Sequence, residues 1–275
     1  MSKQLTTQKR RSVTDIRVAK GAQPLVALTA YTAPMAALLD EVCDILMVGD
    51  SLGMVVYGYD STLKVSLEQM IAHGEAVVRH SQQALVVVDM PFGSYQASPE
   101  QAFHNAARVL KETGATAIKL EGGTEMAATI AYLTERGIPV MAHVGLMPQH
   151  LHQLGGFKAQ GKEKAQQKLI LEDALATEKA GAFSVVLEGV MEPLAKMITQ
   201  KLAIPTIGIG ASPACDGQVL VVDDMLGMFE FTPRFVKPFA QLRHEISRAA
   251  TAYAKAVRAR KFPTLAQCYG VEKKE

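Results

Sequence analysis

Ala84-Leu-Val-Val-Val-Asp-Met-Pro-Phe-Gly93 opens a unit whose plan repeats along the chain. An unbroken apolar run reaches Val88, an acid follows at Asp89, and Met-Pro-Phe-Gly then ends the run. A run this short and this rich in valine fits a strand buried on both faces. Residues 99–113 next carry helical periodicity, and residues 115–120 form a second apolar run that stops beside Glu121. Strand, helix and strand in this order is the sequence pattern of a parallel sheet.

Working outward, similar apolar runs occupy residues 25–30, 45–48, 138–142, 183–187, 204–209 and 219–222. Helical stretches at 67–79, 125–136, 164–180 and 192–202 fall between them. About eight strand and helix pairs in 275 residues predict a parallel (β/α)₈ barrel, the TIM barrel, with its site at the carboxyl ends of the strands. A doubly wound open sheet would also bind ligands at those ends. The barrel is the better fit, because eight strands suit closure and no dinucleotide fingerprint follows the first run. A single domain spanning residues 1–275 is expected, with a polar N-terminal lead carrying a short helix and a C-terminal helical tail.

The 29 basic and 27 acidic residues leave a net charge of +2, which argues against nucleic acid as the main partner. Basic residues concentrate at 9–17 and 243–261, as solvated termini often do. Cys43, Cys215 and Cys268 are odd in number and lack metal-type spacing, so a disulfide framework is not expected and a reducing, cytoplasmic location is. No apolar stretch reaches the roughly 18 residues of a membrane span, and the polar amino terminus has no signal-peptide core.

Asp50, Asp89, Lys119, Glu121, His143 and Glu188 all sit at or just past the ends of apolar runs. On a barrel that placement gathers them at one mouth. Taken alone, Asp50 could simply cap the turn Gly49-Asp-Ser-Leu-Gly53, and Lys119 could pair with Glu121, two residues away on the same side of a strand. Together, three carboxylates on consecutive strands repel one another more than one lysine can offset. A divalent cation can offset them, and oxygen donors favour Mg²⁺, with Mn²⁺ as a substitute. His143 could donate a hydrogen bond to a bound carbonyl or carboxylate, or serve only as a structural hydrogen-bonder. Glu188, across the mouth from Asp50, lies too far round for a cation ligand and suits a general base or acid. Gly208-Ile-Gly-Ala-Ser-Pro213 reads as a tight turn that allows close ligand approach, and Gly155-Gly-Phe-Lys158 as part of a loop over the mouth.

These same residues lie in motifs that resemble the ketopantoate hydroxymethyltransferase family. The resemblance runs from about Thr29 to Phe239, through Thr29-Ala-Tyr, Val48-Gly-Asp-Ser-Leu-Gly-Met, Gly58-Tyr-Asp-Ser-Thr-Leu, Asp89-Met-Pro-Phe, Lys119-Leu-Glu-Gly-Gly, His143-Val-Gly-Leu-Met-Pro-Gln, Gly155-Gly-Phe-Lys-Ala-Gln-Gly, Leu187-Glu and Ile207-Gly-Ile-Gly-Ala. It implies Mg²⁺ held by Asp50, Asp89 and Glu121, substrate bound by Ser51, Asp89, Lys119 and His143, and Glu188 as catalytic base. It further implies α-ketoisovalerate and methylenetetrahydrofolate as substrates, and a homo-oligomer, commonly a decamer. Thr32, Gly189 and Ser212 depart from the family's usual residues without displacing any of these assignments. A metal-dependent lyase or mutase of the phosphoenolpyruvate group and a non-catalytic α-keto acid binding protein are the alternative readings.

Overall fold

The computed structural model describes residues 10–270, so the first nine residues of the basic lead lie outside the description. The strands are β1 (Leu25–Thr29), β2 (Ile45–Val48), β3 (Leu85–Asp89), β4 (Ala117–Glu121), β5 (Val140–Gly145), β6 (Ser184–Glu188), β7 (Thr206–Ile209) and β8 (Gly217–Leu220). They pair in sequence order, all parallel, and β8 closes on β1 through Leu25↔Gly217. The expected (β/α)₈ barrel is therefore the fold.

Strands β3 to β6 begin one or two residues later than their apolar runs and continue through the ionisable residue at the end. The parallel ladder explains the shift, since Asp89 pairs in register with Lys119 and Glu121 with His143. Backbone pairing thus carries these strands past the point where hydrophobicity stops. The eighth strand lies two residues earlier than its apolar run.

Local signals explain the helices. Leu67–Arg79 starts at a Ser66 and Gln69 capping box and turns Met70, Ile71, Gly74 and Val77 inward. Pro99–Thr113 is capped by the Ser98 hydroxyl and ends at Gly114, whose φ of 75° favours glycine. Its buried face is Ala102, Ala106, Val109 and Thr113. The stretch read as one helix over 125–136 is split into a 3₁₀ turn, Thr124–Met126, and a helix, Ala127–Glu135.

A short helix, Val13–Arg17, does occur in the lead, and it drives Ile16 into the barrel core beside Leu25, Ile45, Leu85, Phe183 and Val219. The chain divides into two compact units, the barrel through Val222 and a segment from Asp223 onward. Within the second unit, Leu242–Arg258 is the C-terminal helix expected from the sequence. No helix among the described residues is long and apolar enough to cross a membrane.

Candidate active site

Side chains alternate across a strand, so every second residue of a barrel strand points to the interior. Leu85 and Val87 of β3, Ala117 of β4, Met141 of β5 and Val186 of β6 belong to the interior core. Two more residues along each strand, the same parity reaches Asp89, Lys119 with Glu121, His143 and Glu188. One alternation therefore builds apolar layers below and an ionisable layer above. Asp50 and Ser51 join from the turn after β2.

The layer is compact. Lys119 Nζ lies 3.1 Å from Asp89 Oδ2, so its ion pair runs across the ladder to β3 rather than along β4 to Glu121. The Asp50 backbone N–H donates to the same Asp89 oxygen at 3.1 Å. Lys119 Nζ is 3.5 Å from His143 Nδ1, and His143 Nε2 is 3.3 Å from Glu188 Oε2. An ammonium can only donate, so Nδ1 is the acceptor and the imidazole proton sits on Nε2, facing Glu188. That contact lacks the alignment of a formed hydrogen bond, which leaves the Glu188 carboxylate beside His143 without being locked to it. Asp50, Asp89, Lys119, Glu121 and His143 are buried, whereas the Glu188 side chain is 18% exposed. Ser51 stands a step aside, its Oγ 2.8 Å from the Tyr31 hydroxyl.

Gly145 sets the position of Glu188. It pairs with Glu188 in register at a φ of 100°, and a Cβ there would meet the Glu188 carbonyl oxygen at 2.5 Å. Only glycine permits so close a passage of β5 past the end of β6.

Burial first, and Asp89 second, push the Asp50 carboxyl up to about 7, against the opposing pull of Lys119 and Gln149. Burial and Asp50 likewise raise Glu121 well above the carboxylate range. Burial alone would lower Lys119, but Asp89, Glu121 and Asp50 outweigh it and hold the ammonium charged. Burial and Lys119 lower His143, which keeps the ring neutral. The cluster thus carries one firm positive charge and more acid than that charge can balance.

Gln149, assigned no role from the sequence although it ends the His143 motif, lies at the centre of this cluster. Its Nε2 donates to Asp50 Oδ2 at 2.9 Å and its backbone N–H to Glu121 Oε2 at 3.0 Å. Gln149 therefore separates Asp50 from Glu121, and among the described residues no three acid, histidine or cysteine side chains form a ready cation cage. Tyr95, fully buried, bonds both Gln149 and the Glu121 backbone. Nothing in the residue type of Tyr95 or Tyr31 announced this placement; only spatial proximity reveals it.

A hard divalent cation suits these donors. The Asp89 Oδ1 atom is buried with no hydrogen-bond partner, a costly condition for a carboxylate oxygen unless a ligand meets it. Asp50 is adjacent, and both offer the oxygen chemistry of Mg²⁺.

Fold and site together define a (β/α)₈-barrel enzyme whose acid and base groups gather at the carboxyl ends of the strands. Ketopantoate hydroxymethyltransferase is the family that matches residues 10–265, and the chain belongs to it. It is 63% identical over 267 residues to the 3-methyl-2-oxobutanoate hydroxymethyltransferase of Paramagnetospirillum magneticum, covering 97% of each chain. The enzyme of the same name from Bordetella petrii is 61% identical, with 98% of each chain covered. Among solved structures, 2,3-dimethylmalate lyase, a member of the PEP mutase/isocitrate lyase superfamily, shares the fold with a TM-score of 0.58 at 19% identity, over 95% of this chain and 90% of that one.

Proposed function

We propose that the protein is a 3-methyl-2-oxobutanoate hydroxymethyltransferase, which converts α-ketoisovalerate, methylenetetrahydrofolate and water into ketopantoate and tetrahydrofolate, a step of pantothenate biosynthesis. One observation carries the mechanistic reading. A single cluster holds both an Asp50 and Asp89 pair with an unpartnered Asp89 oxygen and a partly exposed Glu188 carboxylate 3.3 Å from a neutral histidine.

In this reading Asp50, Asp89 and Glu121 would hold Mg²⁺, Glu121 having one oxygen that accepts from the Gln149 backbone N–H. Bound there, Mg²⁺ supplies Lewis-acid polarisation of the substrate's ketone, and Mn²⁺ could supply the same chemistry. Lys119 and His143 face the carboxylate and ketone oxygens, Lys119 as a fixed positive charge and His143 as a neutral donor. Ser51, with its hydroxyl positioned by Tyr31, holds the carboxylate end. Asp89 also touches the substrate side of the site. Glu188 removes the proton from the branched carbon next to the ketone, which leaves an electron pair on that carbon. The carbon forms its bond to the one-carbon unit of methylenetetrahydrofolate, water provides the hydroxyl oxygen, and tetrahydrofolate departs. The high identity to named hydroxymethyltransferases favours this reading over the lyase alternative, because likeness to the lyase is one of fold alone.

A cytoplasmic location and a homo-oligomer belong to the same reading. Ile246, Tyr253 and Val257 lie along one side of the helix Leu242–Arg258 and are exposed in the single chain, which supports self-association. The deciding experiment follows ketopantoate by mass spectrometry from α-ketoisovalerate and methylenetetrahydrofolate, with Mg²⁺ present and then chelated. Product that depends on the cation is expected. Absence of product from folded protein in both conditions would overturn the reading.

A further inference from the structure

We infer that Gln149 is a positioning residue, whose side-chain amide fixes the orientation of Asp50 and so determines which carboxylate oxygens the cluster presents to its cation. The inference rests on the cation reading above and adds to it a residue that acts through its hydrogen bond to Asp50.

Gln149 lies in the 3₁₀ turn Pro148–His150 after β5, yet its side chain reaches groups from the ends of β2 and β3. Every hydrogen-bonding site of the amide is engaged. Nε2 donates to Asp50 Oδ2 and to the Met90 carbonyl, both at 2.9 Å. Oε1 accepts from the Tyr95 hydroxyl at 2.7 Å and from Gln96 Nε2 at 3.1 Å.

The direction of the amide follows from its neighbours. The Glu121 backbone N–H donates to the Tyr95 oxygen at 3.1 Å, so the Tyr95 proton turns to an acceptor. Gln149 Oε1 at 2.7 Å is nearer than the Glu121 carbonyl at 3.3 Å. The Met90 carbonyl can only accept, which calls for the nitrogen at the other end. A flipped amide would set oxygen against two acceptors and nitrogen against two donors. The observed orientation is therefore the only one that satisfies all four contacts.

Its effect on the acids is specific. Asp50 has Oδ2 committed to Gln149, and Asp89 has Oδ2 committed to Lys119 and the Asp50 N–H. Glu121 has Oε2 committed to the Gln149 backbone N–H. The amide thus anchors one end of an arrangement in which Asp50 and Asp89 each give one oxygen to the protein, while Glu121 gives Oε2 to the Gln149 N–H and sets Oε1 3.6 Å from His143 Nδ1. Replacing the side chain by methionine keeps the length and the backbone N–H to Glu121 while deleting all four amide contacts.

The test measures Mn²⁺ binding to the full chain by electron paramagnetic resonance, with saturating α-ketoisovalerate. Wild-type protein that binds no Mn²⁺ would overturn the cation reading itself. If wild type binds, Gln149→Met should weaken Mn²⁺ by roughly 10- to 100-fold, as loss of an outer partner of a metal ligand typically does. A Kd within a factor of about two of wild type, in folded Gln149→Met protein, would overturn the inference while leaving the cation reading intact. Tyr95→Phe, which removes the hydroxyl that orients the amide, guards against a misfolded first variant. It should weaken Mn²⁺ by about fivefold, as loss of one neutral hydrogen bond does, and an unchanged Kd would count against the inference in the same way.

Discussion

Both ends of the barrel set an aspartate next to a lysine, and the two ends treat it in opposite ways. At the amino end, Asp216 Oδ2 accepts from Lys20 Nζ at 2.9 Å, from the Thr206 N–H at 2.9 Å and from its hydroxyl at 3.1 Å. Its Oδ1 accepts from the Gly21 N–H at 3.1 Å. Burial pushes this carboxyl up, but those donors and the Lys20 charge outweigh it and hold it below the ordinary range. At the carboxyl end, Asp89 Oδ1 has no partner and Asp50 is raised to about 7. The amino end is a completed structural joint, with Ile16 packed into the core nearby. The carboxyl end leaves a buried carboxylate oxygen without a protein donor. Two things separate the acids at the two ends: Asp216 is only partly buried and ringed by donors, whereas Asp50 and Asp89 are buried and Asp89 leaves one oxygen without a partner.

The strongest way to break this comparison is kinetic. Glu188→Gln keeps the shape of the rim and removes the proposed base, so kcat should fall by about 10²- to 10⁴-fold while Mn²⁺ binding stays near wild type. Steady-state rates beside a metal titration check this, and unchanged turnover would remove Glu188 from the proton transfer.

A paired substitution tests the two ends directly. Asp216→Asn deprives Lys20 of its counter-charge and weakens several hydrogen bonds, at a cost of about 2 kcal/mol. For a chain of this size that is a drop in Tm of about 4–8 °C. Asp50→Asn should not lower Tm in chelator, because it removes repulsion with Asp89 while Lys119 keeps its ion pair to Asp89, yet it should weaken Mg²⁺ by about tenfold or more. Equal losses of Tm in the two variants would show that the ends are alike after all.

The same contrast explains what the sequence could and could not reveal. Apolar runs with terminal charges announced the barrel and six members of its ionisable layer, because period-two alternation and burial are written in consecutive residues. Strand ends were harder, since Asp89, Glu121 and His143 are held in the ladder by pairing partners and not by their own hydrophobicity. Gln149 and Tyr95 escaped notice for a different reason. Their significance lies in which distant groups they bond, across sequence separations of 99 for Gln149 to Asp50 and 26 for Tyr95 to Glu121. Asp216 was equally silent, as its partners Lys20 and Thr206 meet it only once the barrel closes.

Acidity separates the ends in sign. With its pKa raised to about 7, folded-state Asp50 keeps a proton that an unfolded carboxylate has lost above pH ~4. In chelator, its contribution to stability therefore falls as pH rises through that window, by at most about 1.4 kcal/mol per unit. Asp216, lowered, contributes stability that is present above the ordinary carboxylate pKa and lost as pH drops below it. His143 is held neutral and opposes Asp50 below pH ~6.5, which makes Asp50→Asn the necessary control. A cation must displace the Asp50 proton, so Mg²⁺ affinity should decline by up to about tenfold per pH unit below ~7. Calorimetry in buffers of different ionisation enthalpy would detect the released proton. A pH-independent affinity would show that Asp50 is already ionised.

The smallest effect probes how finely the rim is divided between holding and reacting. Tyr31→Phe removes the hydroxyl 2.8 Å from Ser51 Oγ but keeps the Tyr31 carbonyl, which meets His73 Nδ1 at 2.6 Å. The loop anchor survives and only the orientation of Ser51 is loosened. A neutral hydrogen bond contributes about 1 kcal/mol, so KM for α-ketoisovalerate should rise by about fivefold with kcat little changed. Loss of kcat at constant KM would instead place Ser51 among the groups engaged only in the transition state, extending the reacting part of the rim from β6 round to the turn after β2.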